Sequence, residues 1–396
     1  MKYIVIVPDG MADYPCEGLF GKTPLDVAKT PNMNALCQEG ETGLVRTIPR
    51  NMEPASDVAN LSIFGYDPQR YYTGRGPLEA ANLGVKLDED EVAFRCNLIT
   101  ASKDDDRLID YSAGHISTAE AKVLISRLNE KLANEFIRFY PGVSYRHLLI
   151  IKGDKRVLTL KTVPPHNIIN EHLSDNLPSG EGAELLRDLI EKSYSILNAE
   201  EVNSVRIDLG ENPANMIWLW GQGERLELPS FEERFGIRGA VISAVDLIKG
   251  IGKTIGLEAI VVEGATGYYD TNYAGKGEKA IAYLEDRDFV YVHIEAPDEA
   301  GHNGDLREKI KAIEEIDHFI IGRVREYLKV NPGRVLVLPD HFTPVELRRH
   351  CADMVPFLIS GEGISPDEIE HFSEATARKS KLRIKQGWKL MEYFLR

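Results

Sequence analysis

Short apolar runs that end in acidic or imidazole residues constrain this chain most. Tyr3–Val7 runs into Pro8-Asp9-Gly10, Phe289–Ile294 is followed by Asp298 and His302, and Val335–Leu338 leads into Asp340-His341, with His350 close behind. Runs of this length, rich in Val, Ile and Phe, read as buried strands. Ala259–Val262 and Val355–Ile359 read the same way. Residues 277–284 and 306–328 between them, and 385–395 after the last, carry helical periodicity. Strand–helix alternation predicts an α/β domain with helices on both faces of a mostly parallel sheet. Ligands of open α/β sheets sit beyond the carboxyl ends of strands, so these Asp and His residues are expected on one edge.

The texture changes from Val92 onward. Phe94–Thr100, Leu148–Lys152 and Val157–Thr162 read as short strands. Residues 117–135 form an expected helix opened by a Ser117-x-x-Glu120 capping box. A second helix is expected over 185–198, residues 163–182 read as a long loop, and the chain is expected to turn helical at 240–248. The simplest organisation is an α/β domain made of both chain ends, residues 1–70 and 250–396, with an α+β domain, residues 71–249, inserted between them.

The net charge of -15 argues against a nucleic-acid partner, which needs a basic face. An anionic substrate would need local cations. No stretch approaches the ~20 apolar residues of a membrane span. Cys16, Cys37, Cys96 and Cys351 form no C-x-x-C pair, which fits a reducing, cytoplasmic setting. Gly250-Ile251-Gly252-Lys253-Thr254 resembles part of a phosphate loop, but Leu247 stands where the first glycine is required.

Chemistry has a use for the converging residues. Two divalent ions can clamp the attacking and leaving oxygens of a phosphoryl transfer, and mixed Asp/His ligands suit Mn²⁺ or Zn²⁺, with a pure carboxylate set leaning to Mg²⁺. A serine hydroxyl beside such ions becomes a nucleophile. Singly, each residue has a plainer reading. Asp9 reads equally as a helix cap, Asp298 and His302 as a surface pair, and Ser56 as a helix start. The case rests on the set.

The motifs Val7-Pro8-Asp9-Gly10-Met11-Ala12-Asp13, Ser56-Asp57-Val58-Ala59-Asn60, Gly74-Arg75-Gly76-Pro77, Ser112-Ala113-Gly114-His115, Gly264-Ala265-Thr266-Gly267, Glu295-Ala296-Pro297-Asp298-Glu299-Ala300-Gly301-His302 and Pro339-Asp340-His341 occur in this order along nearly the whole chain. In them the chain resembles cofactor-independent phosphoglycerate mutases of the archaeal type, in the alkaline phosphatase superfamily. The resemblance implies an alkaline-phosphatase-like core and two metal sites. Asp9, Ser56, Asp340 and His341 would form one, and Asp298, His302 and His350 the other. Ser56 would carry the phosphoryl group while 2- and 3-phosphoglycerate interconvert without bisphosphoglycerate, and the inserted domain would grip and close over the substrate. Arg75, Asn97, His115, Arg146, His147, Arg238 and Lys253 are the candidate substrate-binding residues. Residues 239–246 also resemble a bacterial branch proposed as homoserine kinases. A phosphatase using the same metals is a further alternative.

Overall fold

The computed structural model describes all 396 residues. They pack as two compact units, Met1–Tyr72 with Leu228–Arg396, and Thr73–Glu227. No helix is long and apolar enough to cross a membrane, and all four cysteines are free.

The first unit is built on an eight-stranded sheet. Its strands are β1 (Lys2–Pro8), β2 (Gly40–Val45), β8 (Gly239–Ile242), β9 (Glu258–Ile260), β10 (Phe289–Ile294), β11 (Gly333–Val337), β12 (Val355–Gly361) and β13 (Arg383–Ile384), in the spatial order 13-2-12-11-1-10-8-9. Strand β1 lies between β10 and β11 and pairs in parallel with both. Ile4, Ile6, Val290, Val292, Val335 and Val337 pack one face of these strands against helices. Burial on both faces explains why the central strands read as unbroken apolar runs.

Three details depart from the sequence reading. Residues 239–242 form strand β8 rather than a helix, and the following helix starts at Asp246. Ala240, Val241 and Ile242 are fully buried beside β10, so the insert ends at Glu227 rather than at residue 249. Strand β12 runs antiparallel to β11, because residues 338–354 contain no helix to make the crossover that a parallel neighbour needs. Strand β2 was hidden by its glycines. A Cβ on Gly43 would meet the Phe357 ring at 2.5 Å.

The second unit holds an antiparallel sheet of β3 (Glu91–Ser102), β4 (Arg107–Asp110), β5 (Ile137–Val143), β6 (Arg146–Lys152) and β7 (Met216–Glu224). Strand β3 is its hub, pairing with β4, β6 and β7. Helices Thr118–Leu132, opened by the expected capping box, and Ala183–Asn198 cover one face. The expected strand at 157–162 is instead a 3₁₀ turn, Lys155–Thr159. It is started by Asp154, whose side chain accepts from the Arg156 N–H.

Candidate active site

The first unit gathers its chemistry at the carboxyl ends of β1, β10 and β11. The chain leaves β1 at Asp9 and turns at Gly10 with φ of 60°. A Cβ there would meet the Asp298 carboxylate at 2.5 Å and the Thr343 hydroxyl at 2.6 Å. Glycine thus permits three segments to meet. Asp298 and His302 lie four residues apart on the helix Ala296–Asn303, so both point the same way. Ser56 opens the helix Ser56–Ile63.

Asp340 organises the centre. Its Oδ1 accepts from the Gly10 N–H (3.1 Å) and the His341 N–H (2.9 Å), and its Oδ2 from Asn60 Nδ2 (2.9 Å). Asn60 is held by Ser56 O and by the Tyr291 hydroxyl, which donates to its Oδ1. The Ser56 hydroxyl lies 3.1 Å from His341 Nε2. Thr343 donates to Asp298 Oδ1, and its oxygen stands 3.1 Å from His341 Nδ1. Asp298 reaches His302 Nε2 and His350 Nε2, each at 3.3 Å, and the His341 and His350 rings stack at 3.9 Å.

Ligand atoms converge in three groups: Asp9 with Asp340 and His341, Asp298 with His341 and His350, and Asp9 with His293 and Glu295. Asp9 is fully buried, yet neither carboxylate oxygen receives a hydrogen bond. Its oxygens lie 3.4 Å from His341 Nε2 and 3.0 Å from His293 Nε2 without completing one. Buried orphaned oxygens facing imidazole nitrogens fit a cation better than they fit each other. The donor chemistry of the first two groups also fits divalent ions.

Electrostatics agree. Burial, then the charges of Asp340, Glu295 and Asp298, push the Asp9 carboxyl well above its usual range. Burial and Asp298 raise Glu295 to about 8. Burial lowers His293 and His341 to about 4, so both rings are neutral with a lone pair to offer. Burial opposes ionisation of Asp298, but bonds from His302 and His350 hold it well below the usual carboxylate range. Burial also opposes the charge on His302, yet Asp298 raises it to about 9. Crowded carboxylates among neutral imidazoles call for added positive charge.

All seven expected metal and nucleophile positions, Asp9, Ser56, Asp298, His302, Asp340, His341 and His350, thus lie in this unit, linked by these contacts. His293 and Thr343 escaped the sequence reading, and Asn60 and Glu295 stood in its motifs without an assigned role. His293 and Glu295 were visible as polar residues at the end of an apolar strand, but alternation alone did not set them apart.

The candidate substrate residues divide. Arg146 and Asn97 pair across β6 and β3, and cross-strand partners share a face. Arg95, two residues from Asn97, joins that face. The Arg95 and Arg75 guanidiniums lie over Trp220 at 4.6 and 5.6 Å. Trp220 Nε1 donates to Asn97 Oδ1. Arg146 lies 5.3 Å from the Tyr145 ring, which His115 meets edge-on, and Arg146 Nε is buried without a hydrogen-bond partner. Burial lowers the Arg95 pKa; Glu79 opposes this, and Arg75 and Arg146 add to it. Three arginines crowd together here, and Arg95 is the member that the sequence reading missed.

His147 points to the other face. It is buried, its Nδ1 accepts from the Gly142 N–H, and burial lowers it to about 3. Arg238 is exposed, pairs with Glu232 at 3.0 Å, and precedes β8, at the sheet edge opposite the carboxylates. Lys253 is in the last turn of the helix Asp246–Thr254. The tempting Gly250–Thr254 motif is therefore helical. A Cβ on Gly252 would strike Val241 at 2.4 Å, so that glycine serves helix–strand packing.

Comparisons with known proteins agree with this geometry. A family model described as 2,3-bisphosphoglycerate-independent phosphoglycerate mutase matches residues 37–203. The chain is 53% identical over 396 residues to 2,3-bisphosphoglycerate-independent phosphoglycerate mutase 2 of Methanothermobacter thermautotrophicus, covering 100% of this chain and 97% of that one. It is 49% identical to the corresponding mutase of Methanosarcina acetivorans, with 96% of each covered. Among solved structures, a Pyrococcus horikoshii protein matches at TM-score 0.82 and 30% identity, over 100% of this chain and 96% of that one. The cofactor-independent phosphoglycerate mutase of Thermoplasma acidophilum matches at TM-score 0.68 and 27% identity, over 100% and 99%. With relatives this similar over its full length, the chain belongs to the 2,3-bisphosphoglycerate-independent phosphoglycerate mutase family.

Proposed function

We propose that this chain is a cytoplasmic isomerase that interconverts 2-phosphoglycerate and 3-phosphoglycerate through phosphoserine at Ser56. The observation that carries the reading is the Ser56 hydroxyl, 3.1 Å from His341 Nε2, a nitrogen that lies 3.4 Å from both the Asp9 and the Asp340 carboxylates. Asp9, Ser56, Asp340 and His341 would hold one divalent ion, Mn²⁺ or Zn²⁺, and Asp298, His302 and His350 a second. When bound, such ions lower the pKa of a neighbouring hydroxyl and neutralise charge on a transferring phosphoryl group.

The protein groups do the rest. Ser56 Oγ attacks phosphorus, its bond to phosphorus forms, and the bond to the glycerate oxygen breaks. Ser56 sits in the first turn of an eight-residue helix, whose free N–H groups and dipole favour the new phosphate dianion. Asn60 fixes both the Ser56 carbonyl and Asp340, so nucleophile and carboxylate keep their spacing. The glycerate then presents its other hydroxyl, which takes the phosphoryl group back. Arg75, Arg95 and Arg146 of the second unit supply planar donors that match the glycerate carboxylate.

A coupled assay tests this. Purified Mn²⁺-loaded protein receives 3-phosphoglycerate without bisphosphoglycerate, enolase reports 2-phosphoglycerate, and free phosphate is followed in parallel. Isomerisation that stops on chelation, with little phosphate released, is the expected result. Phosphate release without isomerisation would make the chain a hydrolase, and no reaction would overturn the substrate.

A further inference from the structure

We propose that Arg206 and Asp110 are positioning residues for substrate recognition: they clamp a left-handed turn that presents the His115 imidazole. The inference rests on the phosphoglycerate reading above and adds two residues that act through His115 rather than on the substrate.

Ala113, Gly114 and His115 follow one another with φ of 48°, 65° and 51°. Residues with a Cβ enter this region singly, not in runs, because the Cβ crowds the following carbonyl oxygen. A strained turn persists only where its surroundings over-determine it, and such turns gather at ligand clamps. This one links β4 to the helix Thr118–Leu132.

Two side chains hold it. Asp110, the last residue of β4, accepts on Oδ1 from the Ser112 N–H and hydroxyl and on Oδ2 from the Gly114 N–H, each at 2.7 Å, and from Asn212 Nδ2 at 2.8 Å. Burial opposes its charge, but these bonds hold the carboxyl below its usual range. Arg206, 3% exposed on the helix Glu201–Asp208, donates from Nη2 to the Ala113 carbonyl at 2.8 Å and from Nε to the Asn212 carbonyl at 2.9 Å. Its Nη1 pairs with Glu120 and Glu211, each at 3.1 Å. A Cβ on Gly114 would crowd Nη2 at 3.0 Å, so the guanidinium packs directly on the turn.

The N–H groups of Ser112, Gly114, His115 and Ile116 are all spent inside the loop, so the turn offers no anion nest. What it offers is the exposed His115 ring. That ring meets Tyr145 edge-on at 6.0 Å, and Arg146 lies over the Tyr145 ring at 5.3 Å. Ser144, next to Tyr145, donates to the Ile116 carbonyl at 2.7 Å and ties the turn to this wall. Imidazole and guanidinium thus flank one aromatic ring, an arrangement that suits a ligand with two anionic groups.

A double-variant cycle tests the clamp. Full-length, Mn²⁺-loaded parent, Arg206→Met, His115→Ala and the double variant are checked by circular dichroism and assayed for KM and kcat with 3-phosphoglycerate. Arg206→Met should raise KM about 10-fold or more with kcat near the parent's, as His115→Ala should. The double variant should be no worse than His115→Ala alone. If Arg206→Met fails to fold, Asp110→Asn, which keeps one acceptor oxygen, takes its place with the same expectation. An unchanged KM in the folded clamp variant, or effects that multiply in the double variant, would overturn the proposal. A parent KM in His115→Ala, or a parent that does not turn over 3-phosphoglycerate, would instead remove the substrate reading and the proposal with it, so the two failures are distinguishable.

Discussion

Lys309→Met probes how the site is held from behind. Lys309 is fully buried on the helix Leu306–Ile316. Its ammonium donates to Asp13 Oδ2 and to the Thr343 carbonyl, each at 2.8 Å. Methionine fills similar space and donates nothing. Asp13, 1% exposed, would keep the backbone N–H groups of Tyr14 and Val345 and the weak Cys16 thiol donor, but no cation. Removing one partner of a buried ion pair costs about 3–5 kcal/mol, which lowers Tm by roughly 6–20 °C for a unit of this size. Asp13→Asn in the Lys309→Met background deletes the stranded charge, so the double variant should recover at least ~1.5 kcal/mol relative to additivity. Thr343 adds a functional consequence. Its carbonyl loses its anchor while its hydroxyl serves Asp298 and faces His341, so metal affinity should fall about 10–100-fold. Urea denaturation of the four proteins in the cycle, with metal titration of the folded ones, measures both. A Lys309→Met cost below about 1 kcal/mol, or strict additivity in the cycle, would refute the reasoning.

Other outcomes follow from the same contacts. Ser56→Ala should keep its fold and metal content but lose at least ~1000-fold in kcat; near-normal turnover removes the phosphoserine mechanism. Glu374, 2% exposed, accepts from Thr23 and the Asp13 N–H, and burial raises its carboxyl to about 7. The folded state therefore keeps a proton that the unfolded chain releases above about 4.5. This stability is complete below 4.5 and is lost as pH rises through 7, about 3 kcal/mol at most. Glu374→Gln should flatten that part of the pH–stability profile, and parallel profiles would contradict the shift. Arg146→Met should raise KM for 3-phosphoglycerate about 10–150-fold with metal content unchanged; an unaltered KM would take Arg146 out of carboxylate recognition.

The sequence alone determined the strands of the α/β core and the acidic and imidazole residues that follow them, because a strand is a local signal. Five residues such as Tyr3–Val7 are a complete strand signature, and Asp9 or Asp340 just beyond such a strand is placed by topology. The capping box at Ser117 likewise announces its own helix. Only the tertiary structure decided what depends on contacts far apart in sequence. Strand β2 exists because Gly43 lets the Phe357 ring approach. Strand β12 runs antiparallel because its connection carries site residues instead of a helix. Arg95 joins Arg75 and Arg146 through β3 register and the Trp220 ring, while His147, adjacent to Arg146, turns to the opposite face. His293 and Glu295 gain meaning only where β1 and β10 lie side by side, since a buried atom is an orphan only once every neighbour is in place.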